Sequence, residues 1–513
     1  MFRFLALNES NDHGDESEEI DPSLDRTFRE EGEPIEFIDD IVFHIMQFLD
    51  SEFILRVCMK ISRQWFQQAL QIPLMLDFSS QSKSFSFMDE KNLHSVLTCP
   101  NLEQLTNVNF SGTFCGSEGA LLLSTSPFMK NLVALNLEGN SIGMDGVKLI
   151  GECAEFFEYL TELNLNSNGL YNEGWKELLL LWSSHVEKRN ACQRSKLRKL
   201  CLRNNELEDE GMEEVFENVP RGWFDQATEL DLSQNKIGPV TLQFIASQFG
   251  QLQTLIINGN TSIEEEGMKH LAMSKVMHHL TFLDLSFTNI GLRALNHLTA
   301  SPNFQHLTYL NLTKCSIGDE GVKLICCSDF LKKLTTLKLG STVVLNEAVT
   351  HLSNSQNMST LTDLDLSFNF INSVGMEILS KTLFLQNLTC LNLAENTLIG
   401  FEGISQLATS EQFQNLQQLN LSNTNLDPQG MEILCTNLHH FPKLTSLNIS
   451  SNALGNEGAQ ALLSSQFSPF IQNLTELDMT QCQIGMKHIQ EISKKFPKLL
   501  KQNFSFSFVL EWQ

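Results

Sequence analysis

The sequence predicts an α/β solenoid, with a curved parallel sheet inside and helices outside, preceded by a small helical unit. Three observations carry this. A nine-residue pattern, L-x-x-L-x-L-x-x-N/T/C, recurs fourteen times, starting at Leu105, Leu132, Leu160, Leu197, Ala227, Leu252, Leu280, Leu307, Leu334, Leu361, Leu388, Leu416, Leu444 and Leu474. Most intervals are 27 or 28 residues, a period that marks an array of identical units. Apolar residues make up 42% of the chain, enough for a core that runs through the whole stack. Each unit buries its apolar face on its neighbours, so length sets no domain count.

Within one repeat the elements follow in order. In Leu307–Cys315, Leu310 and Leu312 alternate with polar neighbours, the period of a strand with leucines inward and the odd positions outward. The ninth position is Asn in eight repeats, Thr in four and Cys in two, Cys315 and Cys482. There the chain leaves the strand, its backbone groups need buried partners, and an Asn amide supplies them. Gly146, Gly174, Gly211, Gly321, Gly375, Gly430 and Gly458 then open helices expected to run roughly ten to fifteen residues, such as 322–330. Parallel strands about 4.8 Å apart give an inner face on the order of 65 Å long, large enough for a protein partner.

Bulk properties narrow the partner. The formal charge of −26 opposes general binding to phosphate backbones or anionic lipid. Twelve cysteines lack paired spacing, and several fall on repeat positions, which fits buried thiols in a reducing compartment. Residues 1–7 are too short for a signal-peptide core, and no 18-residue apolar run is present. The expectation is a cytoplasmic protein, with a nuclear pool also open. The chain holds 36 Phe against 3 Tyr and 5 Trp, a bias without a functional account.

The segments outside the repeats differ. Residues 1–33 carry eleven acids against three Arg and are expected to be disordered. In residues 34–69, Ile38, Ile41, Val42, Ile45, Phe48 and Leu49 recur at helical spacing. A second run holds Ile54, Leu55, Val57 and Cys58, and Ser62 caps a third carrying Trp65, Phe66 and Ala69. A unit this small leans on the solenoid or on a partner. Residues 70–104 form a linker and an N-terminal capping repeat, with a strand at 74–79 and a helix at 91–97. Residues 105–495 hold the fourteen repeats, and 496–513 read as the C-terminal cap.

The stretch Pro34-Ile35-Glu36-x-Ile38-Asp39-Asp40-Ile41-Val42-x-x-Ile45, followed by Phe48-Leu49-Asp50, resembles an F-box. Ile61-Ser62-Arg63-Gln64-Trp65-x-x-x-Ala69 is similar to the close of that motif. The whole chain therefore resembles the F-box proteins with leucine-rich repeats, its repeats looking like the ribonuclease-inhibitor subtype. The resemblance implies a substrate-recognition subunit of a cullin ubiquitin ligase of the SCF type. Pro34, Ile38, Ile41, Ile45, Leu49 and Trp65 would grip a Skp-type adaptor joined to the cullin, and the repeats would hold a protein substrate. A plain cap over the first repeat is the other reading of residues 34–69.

Three surfaces are candidates for binding. The fifth repeat position is mostly Asp or Asn, including Asp284 and Asp365, either a common repeat feature or an acidic track for a basic partner. Phe282 and Tyr309 share the third position on adjacent repeats, and Phe287 and Phe368 share the eighth. Exposed aromatics ringed by polar groups mark protein hot spots, unless the Phe287 and Phe368 rings fold onto the turn. The long second repeat and the strand after it carry Lys188, Arg189, Arg194, Lys196, Arg198, Lys199 and Arg203 against Glu187, a basic loop suited to an acidic or phosphorylated segment or left solvated. No HExxH, Walker loop or GxSxG is present, and neither the adjacent His pairs nor Cys326-Cys327 has metal-ligand spacing, so no catalytic residue, metal or cofactor is expected. Two alternatives to the ligase reading are a GTPase activator resembling the Ran type and a non-ligase protein-binding scaffold.

Overall fold

The computed structural model describes residues 39–47, 49–61, 63–79, 90–99, 102–113, 115–126, 128–153, 159–189, 195–464, 473–496 and 501–503. The expected disordered N-terminus, Pro34, Ile38, Phe48, Ser62, Arg194 and the cap beyond 503 lie outside them. The chain divides into two compact units, one of residues up to Leu207 with Glu217–Phe224, the other of Glu208–Phe216 with Asp225 onward.

The first unit opens with helices Asp39–Met46, Ser51–Arg56 and Arg63–Ala69 and a short 3-10 turn at Cys58–Lys60. Val42, Met46, Ile54, Cys58, Met59 and Ala69 are buried between them. The Asp50 carboxylate accepts from Phe53 N at 2.8 Å and starts the second helix. The Ser51 hydroxyl accepts from Met75 N at 2.9 Å and ties this helical head to the first strand. Strands β1 (Leu74–Asp77), β2 (Leu105–Asn109), β3 (Ala134–Asn136), β4 (Glu162–Asn164) and β5 (Lys199–Cys201) follow, each parallel to the next.

The second unit carries β6 (Glu229–Asp231), β7 (Thr254–Ile256), β8 (Phe282–Asp284), β9 (Tyr309–Asn311), β10 (Thr336–Lys338), β11 (Asp363–Asp365), β12 (Cys390–Asn392), β13 (Gln418–Asn420), β14 (Ser446–Asn448), β15 (Glu476–Asp478) and β16 (Lys501–Asn503). All pair in parallel, and third, fourth and fifth repeat positions stay aligned from β6 to β15 without a slip. Beyond the last repeat, β16 adds a further strand against β15.

The repeat helices are shorter than expected. Those after β2 to β15 run eight to ten residues, except Tyr171–Arg189 with nineteen. The helix expected at 322–330 is Gly318–Cys327. The glycines named above do not open these helices; they sit inside the first turn, where two of them show how closely the chain packs. At Gly321 a Cβ would meet Ile317 Cβ at 2.6 Å, and at Gly146 it would meet the Ser117 backbone at 3.2 Å. Acids from one repeat cap the helix of the next. Asp209 accepts from Gly238 N at 2.8 Å, Val240 N at 2.9 Å and Thr241 N at 3.1 Å, and Asp319 accepts from Leu345 N at 2.8 Å.

The ninth-position side chains form the expected ladder. Asn396 donates to Leu366 O of the preceding repeat and to Leu393 O, both at 2.9 Å, and accepts from Ile371 N at 3.1 Å. Asn369 does the same, with bonds to Leu339 O at 2.8 Å and Leu366 O at 3.0 Å. Thr342 reaches Leu339 O of its own repeat, at 2.7 Å, and Cys315 reaches Leu285 O, at 3.2 Å, and the Thr288 hydroxyl, at 3.5 Å, both in the preceding repeat. Asn396→Ala is therefore expected to cost about 3 kcal/mol, because several buried backbone groups lose partners at once. Cys315→Ala costs less than half of that. Urea unfolding of the two variants checks the order; equal losses would contradict it.

Candidate protein-binding site

On β6 to β11 the concave face is built from the odd strand positions, which are half-exposed while the fourth is buried. Its fifth position has a structural duty. Asp284 Oδ1 accepts from Ser286 N at 2.9 Å, Asp365 Oδ1 from Ser367 N at 2.9 Å and Asn311 Oδ1 from Thr313 N at 3.0 Å. Such a turn closes equally well with Asp or Asn, since both offer a carbonyl-type oxygen. The turn explains why one of the two is present. It leaves the choice of charge open, so Asp231, Asp284, Asp365 and Asp478 set the electrostatics of the face without being needed for the fold.

The third position carries an aromatic pair. Register pairs Phe282 with Tyr309, and their rings stack with centroids 3.9 Å apart and planes within 7°. Burial, then the carboxylates of Asp284 and Asp363, push the Tyr309 phenol above its ordinary range. Asp363 lies in the same row and holds Lys338 Nζ at 2.7 Å. Beside it, burial and then Asp363 push the Cys390 thiol up to about 11.

Phe287 and Phe368 stand apart from that pair. The eighth residue of all fourteen repeats is left-handed, with φ between +47° and +77°. Glycine takes this conformation freely, whereas a bulky residue pays on the order of 1 kcal/mol. Both rings nevertheless remain exposed instead of folding onto the turn, at 48% and 59%. Lys314 Nζ sits 4.7 Å from the Phe287 ring centroid. On the strand-to-helix connections after β10 to β12, Val343, Leu345, Phe370 and Leu398 are also at least half exposed, as is Val374 in the first turn of helix Ser373–Ser380. The sequence reading missed these five; large apolar residues between the tenth and fourteenth positions of three consecutive repeats were the available signal.

The basic segment is not a single loop. Lys188 and Arg189 end the long helix, and Lys196 Nζ lies 4.7 Å from the Tyr159 ring centroid. Arg198 sits at the strand edge, while Lys199 lies on β5 opposite Glu162 of β4. In the helical head, Ile41 and Ile45 are exposed, and Leu49 and Trp65 are half-buried. Phe53, Val57 and Ile61, missing from the sequence-based site, are exposed as well, although their four-residue spacing was readable.

Among the described residues no cluster of His, Cys, Asp or Glu could hold a metal ion, and no helix is long and apolar enough to cross a membrane.

Nine segments, residues 128–151, 158–179, 194–216, 276–295, 305–326, 357–380, 384–408, 441–463 and 471–487, match the Leucine Rich repeat family. With one strand and one helix per repeat and every strand parallel to its neighbour, the fold is a leucine-rich-repeat solenoid. Among solved structures the chain is similar to one from the crystal structure of the Rad7 and Elc1 complex in yeast, at 14% identity over 88% of this chain and 89% of that one, TM-score 0.41. It is also similar to an internalin, InlF, from Listeria monocytogenes, at 16% identity over 76% of this chain and 94% of that one, TM-score 0.38. No curated protein matches the chain.

The electrostatics of the face can be read through a thiol. Alkylation needs the thiolate, so with its pKa raised to about 11 Cys390 should react slowly at pH 8 and roughly tenfold faster per pH unit above that. Asp363→Asn should speed it at fixed pH. Iodoacetamide labelling followed by mass spectrometry measures both; a Cys390 rate that levels off by pH 9 would contradict the assignment.

Proposed function

We propose that the chain is a non-catalytic receptor in which the helical head docks on the Skp-type adaptor of a cullin ubiquitin ligase and the repeats hold a protein substrate. One observation supports this above the others. The head has a core of its own, yet Ile41, Ile45, Phe53, Val57 and Ile61 are each 40% to 46% exposed within one short stretch. A cap that only shields the first repeat would turn its large apolar side chains inward, towards β1. Leaving five outside is costly in water and is repaid when a partner covers them. Aromatic and aliphatic anchors of this kind carry most of the energy of protein interfaces.

In this reading the chain contributes proximity, holding a substrate lysine near the conjugating machinery. The repeats suit the second task because their odd positions vary without disturbing the strand core.

Ile41→Asp with Ile45→Asp changes only exposed side chains, so folding should persist while capture of a purified Skp-type adaptor falls at least tenfold. Undiminished capture by a folded double variant, or no capture by the parent chain, overturns the proposal. Circular dichroism of both chains secures the comparison.

A further inference from the structure

The third-position row from β6 to β11 reads Glu229, Thr254, Phe282, Tyr309, Thr336, Asp363, with every neighbour confirmed by register. The sequence is mirror-like: acid, threonine, aromatic, aromatic, threonine, acid. Because the two rings are stacked on each other, each has one covered face and one outer face. Phe282 turns its outer face toward the β7 row and Tyr309 toward the β10 row. The residues there are Thr254 and Thr336, too short to cover a ring. Beyond each threonine, two strands from the aromatic, stands a carboxylate. Two slots result, each with an aromatic wall, a threonine floor and an acidic far wall. The backbones of the two walls are about 10 Å apart.

We propose that these two slots receive two basic side chains, preferentially arginines, from one extended segment of a protein partner. This deepens the receptor reading above and rests on it for the identity of the ligand as a protein. A planar guanidinium stacks on a ring and still offers donors at its edge for a carboxylate, which an ammonium does less well. Charge points the same way. On the third and fifth rows of β6 to β11, five carboxylates (Glu229, Asp231, Asp284, Asp363, Asp365) face one cation, Lys338. That cation already bridges Asp363 through both oxygens, at 2.7 and 2.8 Å, where an incoming arginine would bind.

The spacing sets the register of the ligand. Thr254 and Thr336 are three strands apart, about 14 Å, the distance from residue i to residue i+4 in an extended chain. Those two residues also project to the same side.

The probe is a fluorescein-labelled peptide, Gly-Ser-Arg-Ser-Gly-Ser-Arg-Ser-Gly amide, titrated with the full chain at low salt and followed by anisotropy, with no adaptor present. Citrulline for both arginines keeps their shape and removes the charge; it should weaken binding at least tenfold. Moving the arginines to i and i+2 should weaken it at least threefold. Tyr309→Ala should cost fivefold or more, whereas Lys338→Gln should tighten binding about threefold by releasing Asp363. Asp231→Asn and Asp284→Asn keep the turn that seven other repeats close with Asn, so any loss there reports charge and not folding. Absence of binding, or binding indifferent to citrulline and spacing, overturns the proposal. Adaptor capture is measured separately, so either result stands when the other fails.

Discussion

Everything in the repeats depends on how each chain turns inward at the ninth residue. There the backbone enters the core, and a group left unpaired would cost more than any single contact on the surface returns. An asparagine amide meets this need in two repeats at once. Asn396 bonds Leu366 O of the repeat before and Leu393 O of its own, so the ladder is also the ruler that fixes one repeat against the next. Cys315 keeps the bond to the repeat before it, to Leu285 O, whereas Thr342 bonds only its own repeat, and there the strand pair β9–β10 carries the register.

A fixed register has a functional consequence. Once the third positions align, residues one repeat apart in sequence become neighbours on one row across the strands. Chemistry can then be written across strands instead of along them. The Phe282–Tyr309 stack, the flanking threonines and the outer carboxylates are one such line. The fifth row works differently, because the eleven repeats that close an Asx turn there need Asp or Asn while leaving charge free. The face therefore became acidic at chosen repeats without loss of fold.

Much of the architecture was legible in the sequence, since leucine spacing and the ninth-position polar residue are direct demands of strand burial and backbone pairing. Phe282 and Tyr309 were legible as a pair for the same reason. The slots beside them were not, because Thr254 and Thr336 look ordinary until the register makes them the floor between an aromatic and an acid. The glycines were misread: Gly321 matters for the approach of Ile317 and Leu295, a packing constraint that no local pattern exposes. The basic segment was legible as charge, but its dispersal over a helix end, a strand edge and the concave face depends on where a long helix stops. In the head, helical spacing alone did not separate buried Val42 and Met46 from exposed Ile41 and Ile45, a division made by the other two helices.

The proposed division of labour, head for the adaptor and repeats for the substrate, is tested most directly by amide hydrogen exchange of the full chain with and without a purified Skp-type adaptor. The account predicts added protection within residues 39–61 and unchanged exchange across β8 to β11. Protection on the concave strands with none in the head would contradict it.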